Sequence, residues 1–309
     1  MKPSAPLRRG GKLALLSTSL QGSPTDYPKA IRRLEEKGIV LLSQDPPGRN
    51  FGPFSAPDKD RARAFSGALG NPDFDGILSI RGGYGAIRLL EHLENDSWPL
   101  RRFPAWTGFS DATNLHAFLW KRMNAVTFHG PHLRGMGESE ESFTDFWEIL
   151  SGERGAGSPL TLGETESVRT GTADGTLLGG NLETLAHLAG TPWFPRFDDA
   201  ILLIEDVDEP MYAIDRAIWQ MHHAGAFRRL AGIVLGPFSG RPPRNDDPSD
   251  DVADLLQAVL PSRVPILRAT RPGHDLPMST WPMNVHVRLE IPMLGTPALI
   301  LRESPFQGA

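Results

Sequence analysis

The chain has 309 residues, of which 39% are hydrophobic and 22% charged, as in an ordinary globular protein of one large or two medium domains. Its net charge of -5 gives no electrostatic basis for binding nucleic acid or an anionic membrane. The absence of cysteine excludes disulfides, thiolate metal sites and a cysteine nucleophile, and it is compatible with a cytoplasmic location.

The N-terminal segment combines a basic start with a short apolar run, LALL at 13–16. A signal peptide has an apolar region of roughly 7–15 residues, and a membrane span needs roughly 20. The run is too short for either, and it predicts a first buried strand at 12–17. We therefore expect a cytoplasmic protein that has neither a membrane nor a nucleic acid as its partner.

Strands and helices alternate through the first half of the chain. The predicted elements, in order, are the strand KLALLST, the helix DYPKAIRRLEEKG, the strand IVLLSQD, the helix DKDRARAFSGALGNP, the strand DGILSIRG, the helix YGAIRLLEHL, the strand and turn PAWTGFSD, the helix ATNLHAFLWKRM and the strand AVTFHGP. This alternation predicts a mostly parallel sheet that is covered by helices on both faces.

The composition changes at residues 134–175, which are rich in Gly, Ser, Thr and Glu and are typical of a linker or loop with one short helix. A second structured region follows, with the segments GTLLGGNLETLAHLAGTPW, AILLIEDV, MYAIDRAIWQMHHAGAF, AGIVLGPF, VADLLQAVL, PILRAT and the alternating tail NVHVRLEIPMLGTPALIL, which predicts antiparallel strands. We predict an N-terminal α/β domain at 1–150, a linker at 151–175 and a C-terminal α/β domain at 176–309.

The segment GFSDA at 108–112 is similar to the G-x-S-x-G turn that exposes a serine nucleophile between a strand and a helix. Ala112 stands where the last glycine of that motif would be. Such a turn presents the hydroxyl of Ser110 and directs helix N-terminal N–H groups at an oxyanion. Helix capping by Ser110 or Asp111 explains the same residues, so both interpretations stay open here.

The segment RGGYGAIRLL at 81–90 is a second glycine cluster. It departs from the dinucleotide motif G-x-G-x-x-G because Arg88 replaces the last glycine. A glycine turn after a parallel strand can instead offer its backbone N–H groups to a ligand at the carboxyl edge of the sheet. An N–H from Gly82 or Gly83 would then form an oxyanion hole with that of Asp111, although a plain tight turn explains the glycines equally well.

A nucleophilic serine needs a base, and the base needs a residue that orients it. His274 lies in RPGHDLPMSTWP, a loop that suits a positioned, accessible side chain. Glu205 ends the apolar strand AILLIE, where a buried carboxylate requires a partner, and the acids that follow it in DVDE compete for the orienting role. His129 and His132 in FHGPHL could line the crevice or bind a metal, but an H-x-x-H pair without a nearby carboxylate is weak evidence for zinc.

Taken together, these segments resemble the LD-carboxypeptidase family of serine peptidases, the murein tetrapeptide carboxypeptidases. The resemblance spans nearly the whole chain. Its motifs occur in order as RGGYGAIRLL, GFSDATNLH, TFHGPHL, GTLLGGNLETLAHLAGTPWFP, ILLIEDVDE, HHAGAF, GIVLGPFSG and GHDLPMSTWP. The chain departs from the family's common pattern at residues 17–19, where a proline is usual, and at Asn284, where glycine is usual. Both positions are expected to edge the substrate pocket.

The resemblance implies a triad of Ser110 as nucleophile, His274 as general base and acid, and Glu205 as the orienter of His274. It also implies an oxyanion hole made by the N–H groups of Gly83 and Asp111. The implied fold is an N-terminal flavodoxin-like, mostly parallel α/β domain and a smaller C-terminal α/β domain, with the active site in the crevice between them. It further implies a homodimer that uses no cofactor and no metal.

The implied activity is hydrolysis of the L,D-peptide bond that releases the terminal D-alanine of murein tetrapeptides, a cytoplasmic step of peptidoglycan recycling. The alternative within the family is hydrolysis of microcin C-type peptide-nucleotide antibiotics by the same triad. Substrate carboxylates require cationic or N–H partners, so Arg81, Arg271 and Asn181 are candidate binding residues, with structural salt bridges as the alternative for the arginines. Two alternatives lie outside the serine peptidases. One is a non-catalytic binding protein, and the other is a metal hydrolase that uses His129, His132 and the acids near Glu205.

Overall fold

The computed structural model describes residues 1–46, 51–96, 98, 102–240 and 251–308. The strands of these residues are, in chain order, β1 (Lys12–Leu16), β2 (Val40–Ser43), β3 (Gly76–Ser79), β4 (Ala105–Gly108), β5 (Thr127–His129), β6 (Thr165–Arg169), β7 (Gly171–Asn181), β8 (Ala200–Val207), β9 (Gly232–Ser239), β10 (Ile266–Ala269), β11 (Trp281–Met283), β12 (His286–Ile291) and β13 (Ala298–Leu301). The helices are α1 (Pro28–Glu36), α2 (Asp58–Gly70), α3 (Leu90–Glu94), α4 (Thr113–Met123), α5 (Leu133–Glu138), α6 (Glu140–Leu150), α7 (Leu182–His187), α8 (Met211–His223) and α9 (Val252–Val259).

The first sheet confirms the predicted parallel arrangement. Its strand order is β2-β1-β3-β4-β5-β11, and the first five strands are parallel. The order 2-1-3-4-5 is that of flavodoxin-like folds. β3, β4 and β5 are buried along their whole length, because helices cover both faces of the sheet. The loops that follow β3 and β4 therefore leave the same edge of the sheet as neighbours.

The second sheet has the order β13-β12-β7-β8-β9-β10-β6, and its four central strands run parallel. β12 and β13 are antiparallel, as the alternating tail predicts. This sheet has seven strands, against six in the first sheet. A continuous apolar core runs through both halves, so the mixed α/β fold has two sheets that pack as one body.

The division into domains at 1–150 and 176–309 stays a prediction, and the predicted linker at 151–175 contains secondary structure. β6 lies within it and pairs antiparallel with β10 at the edge of the second sheet. Its sequence, TESVR, is half-buried to exposed along its length. An edge strand of this kind carries no run of apolar side chains, which explains why composition alone indicates a loop.

A strand from the second half of the chain completes the first sheet. β11 pairs antiparallel with β5 and places the buried Trp281 opposite His129. Asn284, directly after β11, has a left-handed backbone with φ 62°, which explains why glycine suits this position. Its side-chain amide donates to Asn124 Oδ1 at 2.8 Å and to the Ala125 carbonyl at 3.0 Å. Asn284 therefore fastens the two halves together, instead of edging the pocket.

Helix α6 holds the segment that leads into β11. Ser142 Oγ accepts the N–H of Met278 at 2.7 Å, and Asp145 Oδ2 accepts the N–H of Thr280 at 2.6 Å. The other oxygen of Asp145 accepts from the guanidinium of Arg154. Both partners of this ion pair are largely buried, with 7% of the Asp145 side chain and 16% of the Arg154 side chain exposed. The loop before β11 is therefore anchored to the first half of the chain through buried polar contacts.

None of the helices in the described part of the chain has the length and apolar character needed to cross a bilayer.

We expect Asp145→Ala to lower the free energy of unfolding by about 3–5 kcal/mol, because the substitution leaves a buried guanidinium and a backbone N–H without their carboxylate. Glu148→Gln is the matched control. It removes the more exposed carboxylate that the same Arg154 contacts at 3.1 Å, and a change below about 1 kcal/mol is expected. Urea unfolding of both variants measures the difference, and equal losses would contradict a special role for Asp145.

Candidate active site

Ser110 occupies a strained turn at the end of a buried strand. β4 ends at Gly108, Phe109 is extended, and Ser110 has φ 60°, in the left-handed region. A residue with a side chain costs about 1–2 kcal/mol in that conformation, which usually marks a functional position. A Cβ at Gly108 would lie 2.8 Å from the Cβ of Ala112. The turn therefore requires glycine at its start and accepts alanine at its end, which accounts for the departure from G-x-S-x-G.

Neither Ser110 nor Asp111 caps the helix that follows. The residues at the starts of the 3-10 turn and of α4 are Phe109 and Ala112, and neither start has a side-chain capping hydrogen bond. The Asp111 carboxylate instead accepts the N–H of Ala86 at 2.8 Å, and Ser110 lines an open cleft. The capping interpretation of this segment is therefore wrong, because neither side chain accepts a backbone N–H from the first turn of the helix.

Glu205 and His274 form a buried hydrogen-bonded pair. Glu205 lies near the end of β8 and is 0% exposed, and its Oε2 lies 2.7 Å from His274 Nδ1. The register between β8 and β9 shifts at this residue, and irregularities of this kind re-aim a side chain. A Cβ at Gly236 would lie 2.7 Å from the Pro272 carbonyl oxygen and 3.0 Å from the Glu205 Cβ, so only glycine lets the His274 loop pass here.

The environment of His274 favours its charged form. Burial opposes the charge, but the carboxylate of Glu205 outweighs it through charge and a hydrogen bond, with smaller contributions from Asp206 and Asp275. The pKa of His274 is therefore raised above its ordinary value. When Nδ1–H donates to Glu205, Nε2 is left as the proton acceptor, which is the tautomer that a general base requires.

The neighbouring acid, Asp206, has a different environment. Its carboxylate accepts the Asn181 amide at 2.7 Å and the backbone N–H groups of Glu183 and Val207 at 2.9 Å. Burial, followed by the charge of Glu205, raises the pKa of Asp206 to about 7. Asn181, a predicted substrate contact, is thus engaged with Asp206 and also caps α7 by accepting the N–H of Thr184.

Ser110 and His274 line one cleft of about 610 Å³. The ring of Phe109, next to Ser110, lies 4.9 Å from the ring of His274 and 4.3 Å from that of His132. His132 Nε2 accepts the Phe109 N–H at 3.4 Å, and burial lowers the pKa of His132 to about 3. A neutral imidazole therefore supports the Ser110 turn. Sequence reasoning missed this contact because Phe109 carries no motif signal.

The two predicted oxyanion donors lie on the loops that follow the adjacent strands β3 and β4. Gly83 has φ 115° and lines the cleft, and Gly82 approaches so closely that its Cβ would lie 3.3 Å from the Ser110 Cβ. Within the described residues, the N–H groups of Gly83 and Asp111 donate to no backbone or side-chain acceptor. Both are therefore available to bind an oxyanion.

The two predicted arginines differ in their surroundings. Arg81 is exposed, lines the cleft and has no carboxylate partner among the described residues. Arg271 lies 2.7 Å from Glu141 Oε2 and lines an adjoining cleft instead of the one that contains Ser110. The structure therefore brings Ser110, His274, Gly83 and Arg81 to one cleft and leaves Arg271 outside it.

The two histidines of FHGPHL do not belong to a metal-binding arrangement in the described part of the chain, where no group of three or more His, Asp or Glu side chains could hold an ion. His129 is fully buried, and neither of its ring nitrogens has a hydrogen-bond partner there. Burial lowers its pKa well below the ordinary value.

Comparison with known families decides what kind of protein carries this site. The sequence models of the LD-carboxypeptidase N-terminal and C-terminal domains match residues 13–130 and 174–289. The chain belongs to the LD-carboxypeptidase family. It is thus a peptidase, and the family resemblance of its motifs is confirmed. A putative carboxypeptidase of Synechocystis sp. is 35% identical over 242 residues, which cover 76% of each chain.

Relatives with two different names are similar to this chain. The microcin C7 self-immunity protein MccF of Escherichia coli is 26% identical over 93% of this chain and 92% of its own length. One MccF structure superimposes with a TM-score of 0.85, at 25% identity and over 98% of this chain and 99% of that one. A muramoyltetrapeptide carboxypeptidase from Oxalobacter formigenes has a TM-score of 0.76, at 26% identity and over 95% and 99% of the two chains. All share the two-sheet fold.

Glu205→Gln is expected to lower the pKa of His274, because it removes the negative charge that most favours the imidazolium. The acidic limb of the kcat/KM profile would then move to lower pH while the maximal rate falls. Asp275→Asn, which removes a weaker contribution, should move the limb less. NMR titration of the His274 imidazole measures the shift even where activity is lost, and an unchanged or higher pKa would contradict the prediction.

Ser110→Gly is expected to be more stable than Ser110→Ala by about 1 kcal/mol, because glycine adopts the left-handed backbone without steric cost. Both variants lack the hydroxyl, so the comparison isolates the backbone. The same pair of substitutions at Ser66, inside α2, should give the opposite order, because glycine is the poorer helix former. Thermal unfolding measures the difference in stability between the Gly and Ala variants at each position. If the Gly variant is the less stable at both positions, the backbone of Ser110 is not strained.

Proposed function

We propose that the protein is a serine carboxypeptidase that releases the terminal D-alanine of murein tetrapeptides in peptidoglycan recycling. The observation that carries the proposal is that the buried Glu205–His274 pair opens onto the cleft that Ser110 lines from a strained turn. A nucleophile, a base and a buried carboxylate that orients the base form a hydrolytic triad when they meet at one cleft.

In the proposed reaction, His274 Nε2 takes the proton of the Ser110 hydroxyl as Oγ attacks the scissile carbonyl carbon. The N–H groups of Gly83 and Asp111 stabilise the resulting oxyanion. The imidazolium then protonates the leaving amine of D-alanine, the C–N bond breaks, and an acyl-enzyme remains on Ser110. Water, deprotonated by His274, attacks the ester carbonyl carbon; the C–Oγ bond then breaks, the imidazolium returns the proton to Ser110 Oγ, and the shortened peptide is released with a free carboxylate. The carboxylate of Glu205 stabilises the imidazolium throughout.

Substrate selection is proposed to depend on Arg81. The terminal D-alanine carries a carboxylate, for which a guanidinium is a suitable bidentate partner. Arg81 lines the Ser110 cleft without a carboxylate of its own among the described residues, whereas Arg271 is paired with Glu141 and Asn181 with Asp206. Arg81 is therefore the best placed of the three predicted binding residues. A homodimer and a cytoplasmic location stay predictions of the family resemblance.

Hydrolysis of microcin C-type peptide-nucleotide conjugates is the second candidate. The TM-score of 0.85 with MccF favours it, since the fold of that self-immunity protein matches over nearly the whole chain. Solved MccF complexes contain aminoacyl sulfamoyl nucleosides such as glutamyl sulfamoyl guanosine. The same three residues would act on such a substrate, so the two activities differ in the acyl and leaving groups of the substrate and not in the catalytic residues.

Purified protein is expected to release D-alanine from murein tetrapeptide, with loss of one alanine residue in the mass spectrum. Ser110→Ala should lower this rate by about 10⁴-fold or more. Ser66→Ala, on α2, is the matched control and should keep the full rate. Incubation with glutamyl sulfamoyl guanosine in parallel decides the substrate class: cleavage of this compound alone would replace the murein proposal with the second candidate. Cleavage that survives Ser110→Ala would refute both.

A further inference from the structure

The two loops that supply the proposed oxyanion donors are joined by a side chain. Gly83 lies in the loop after β3 and Asp111 in the turn after β4, and these strands are neighbours in the first sheet. An oxyanion hole works only when both N–H groups lie about 2.7–3.1 Å from one oxygen. The loop at 80–86 has no helix or strand of its own to fix that spacing.

The carboxylate of Asp111 makes the connection. Its Oδ2 accepts the N–H of Ala86 at 2.8 Å, and the residue is only 7% exposed. The side-chain amide of Asn114 donates at 3.1 Å to the other carboxylate oxygen and at 3.1 Å to the Asp111 carbonyl. Asp111 thus carries one of the two proposed donors in its backbone and contacts the loop of the other donor through its side chain.

The peptide unit between Gly85 and Ala86 is held at both polar ends. Its N–H donates to Asp111, and its carbonyl accepts from the guanidinium of Arg61 at 3.3 Å. Arg61 is buried and lies 4.3 Å from the ring of Phe54. Gly85 has φ 110°, and a side chain there would collide with Phe54. This peptide plane cannot rotate without breaking a buried hydrogen bond on each side.

Helix capping does not account for this carboxylate. A capping side chain accepts an N–H from the first turn of its own helix, whereas Asp111 accepts one from a residue 25 positions earlier. Burial raises the pKa of Asp111, and the hydrogen bonds from Ser19, Ala86 and Asn114, together with the charge of Arg61, oppose that effect. A carboxylate held in such a place stabilises the arrangement of the two loops at the cost of its own desolvation.

We propose that Asp111 is a positioning residue whose side chain fixes the loop at 80–86 against the Ser110 turn, so that the N–H groups of Gly83 and Asp111 converge on one oxyanion. The proposal rests on the serine-peptidase function proposed above. It assigns the carboxylate a role separate from that of the Asp111 N–H, which any residue at this position would supply.

Asp111→Asn tests the proposal, because it replaces one of the two carboxylate oxygens with an NH₂ group. That group would face either the N–H of Ala86 or the side-chain NH₂ of Asn114, and two donors cannot form a hydrogen bond with each other. With murein tetrapeptide as substrate, kcat should fall by about 10²-fold while KM stays within about twofold, since an oxyanion hole acts in the transition state. Hydrogen exchange of the backbone amides at 80–86 should accelerate by about tenfold or more. If Asp111 only stabilised the fold as a whole, its substitution would neither accelerate exchange specifically at 80–86 nor lower kcat at constant KM.

Asp75→Asn is the matched control. Asp75 lies at the N-terminal end of β3, whereas the loop at 80–86 follows the C-terminal end of the same strand. The Asp75 carboxylate likewise accepts a backbone N–H, that of Lys12, at 2.8 Å. This variant should leave kcat and the exchange at 80–86 unchanged. If Asp111→Asn does not fold, Asn114→Ala takes its place. It removes one donor to the carboxylate but keeps the carboxylate itself, so kcat should fall by about tenfold and the exchange at 80–86 should accelerate by about threefold.

A kcat for Asp111→Asn within about threefold of wild type would overturn the proposal, and so would a lower kcat with unchanged exchange at 80–86. If the wild-type protein cleaves neither substrate and Ser110 does not react with a fluorophosphonate, the proposed function fails. The exchange measurement then still decides whether Asp111 holds the loop, so the two failures are distinguishable.

Discussion

The carboxylate of Glu205 is removed from water completely, and the architecture of the site follows from that constraint. A buried carboxylate without a partner is strongly destabilising, so the chain must bring a donor to it. The donor is His274, from a loop that leaves the second sheet and passes over Gly236. That loop is in turn anchored on helix α6, which belongs to the first half of the chain. The pair therefore determines how the two halves meet.

Each sheet contributes residues to the candidate site from the C-terminal ends of its parallel strands. The first sheet ends β4 in a strained turn that places Ser110 in the cleft, and it ends β3 in a glycine loop. The second sheet ends β8 in a pair of carboxylates with separate partners, Glu205 toward His274 and Asp206 toward Asn181. The proposed nucleophile and its proposed base come from different sheets, so the cleft that both line is also the place where we expect a substrate to enter.

The order of strands and helices in the first sheet and the family were predictable, because buried parallel strands appear as apolar runs and the glycine motifs have fixed spacing. Ser110, Glu205 and His274 also stood out as candidates, and their catalytic roles remain a proposal. The pairing of Arg271 with Glu141 and of Asn181 with Asp206 was not predictable, since each contact joins distant segments. The polar edge strand β6 and the three-residue β11 lack any periodic signal, and the bond from Asp111 to Ala86 depends on how two loops pack.

The crossover of β11 into the first sheet has a consequence for how the protein is made on the ribosome. Until Trp281–Met283 emerge, β5 is an unpaired edge, and edges of this kind attract other chains. His274 lies just before β11, so the strand that seals the edge also delivers the histidine to its carboxylate. A nascent chain therefore carries Ser110 long before it carries His274, and the proposed triad can be assembled only after synthesis has passed β11.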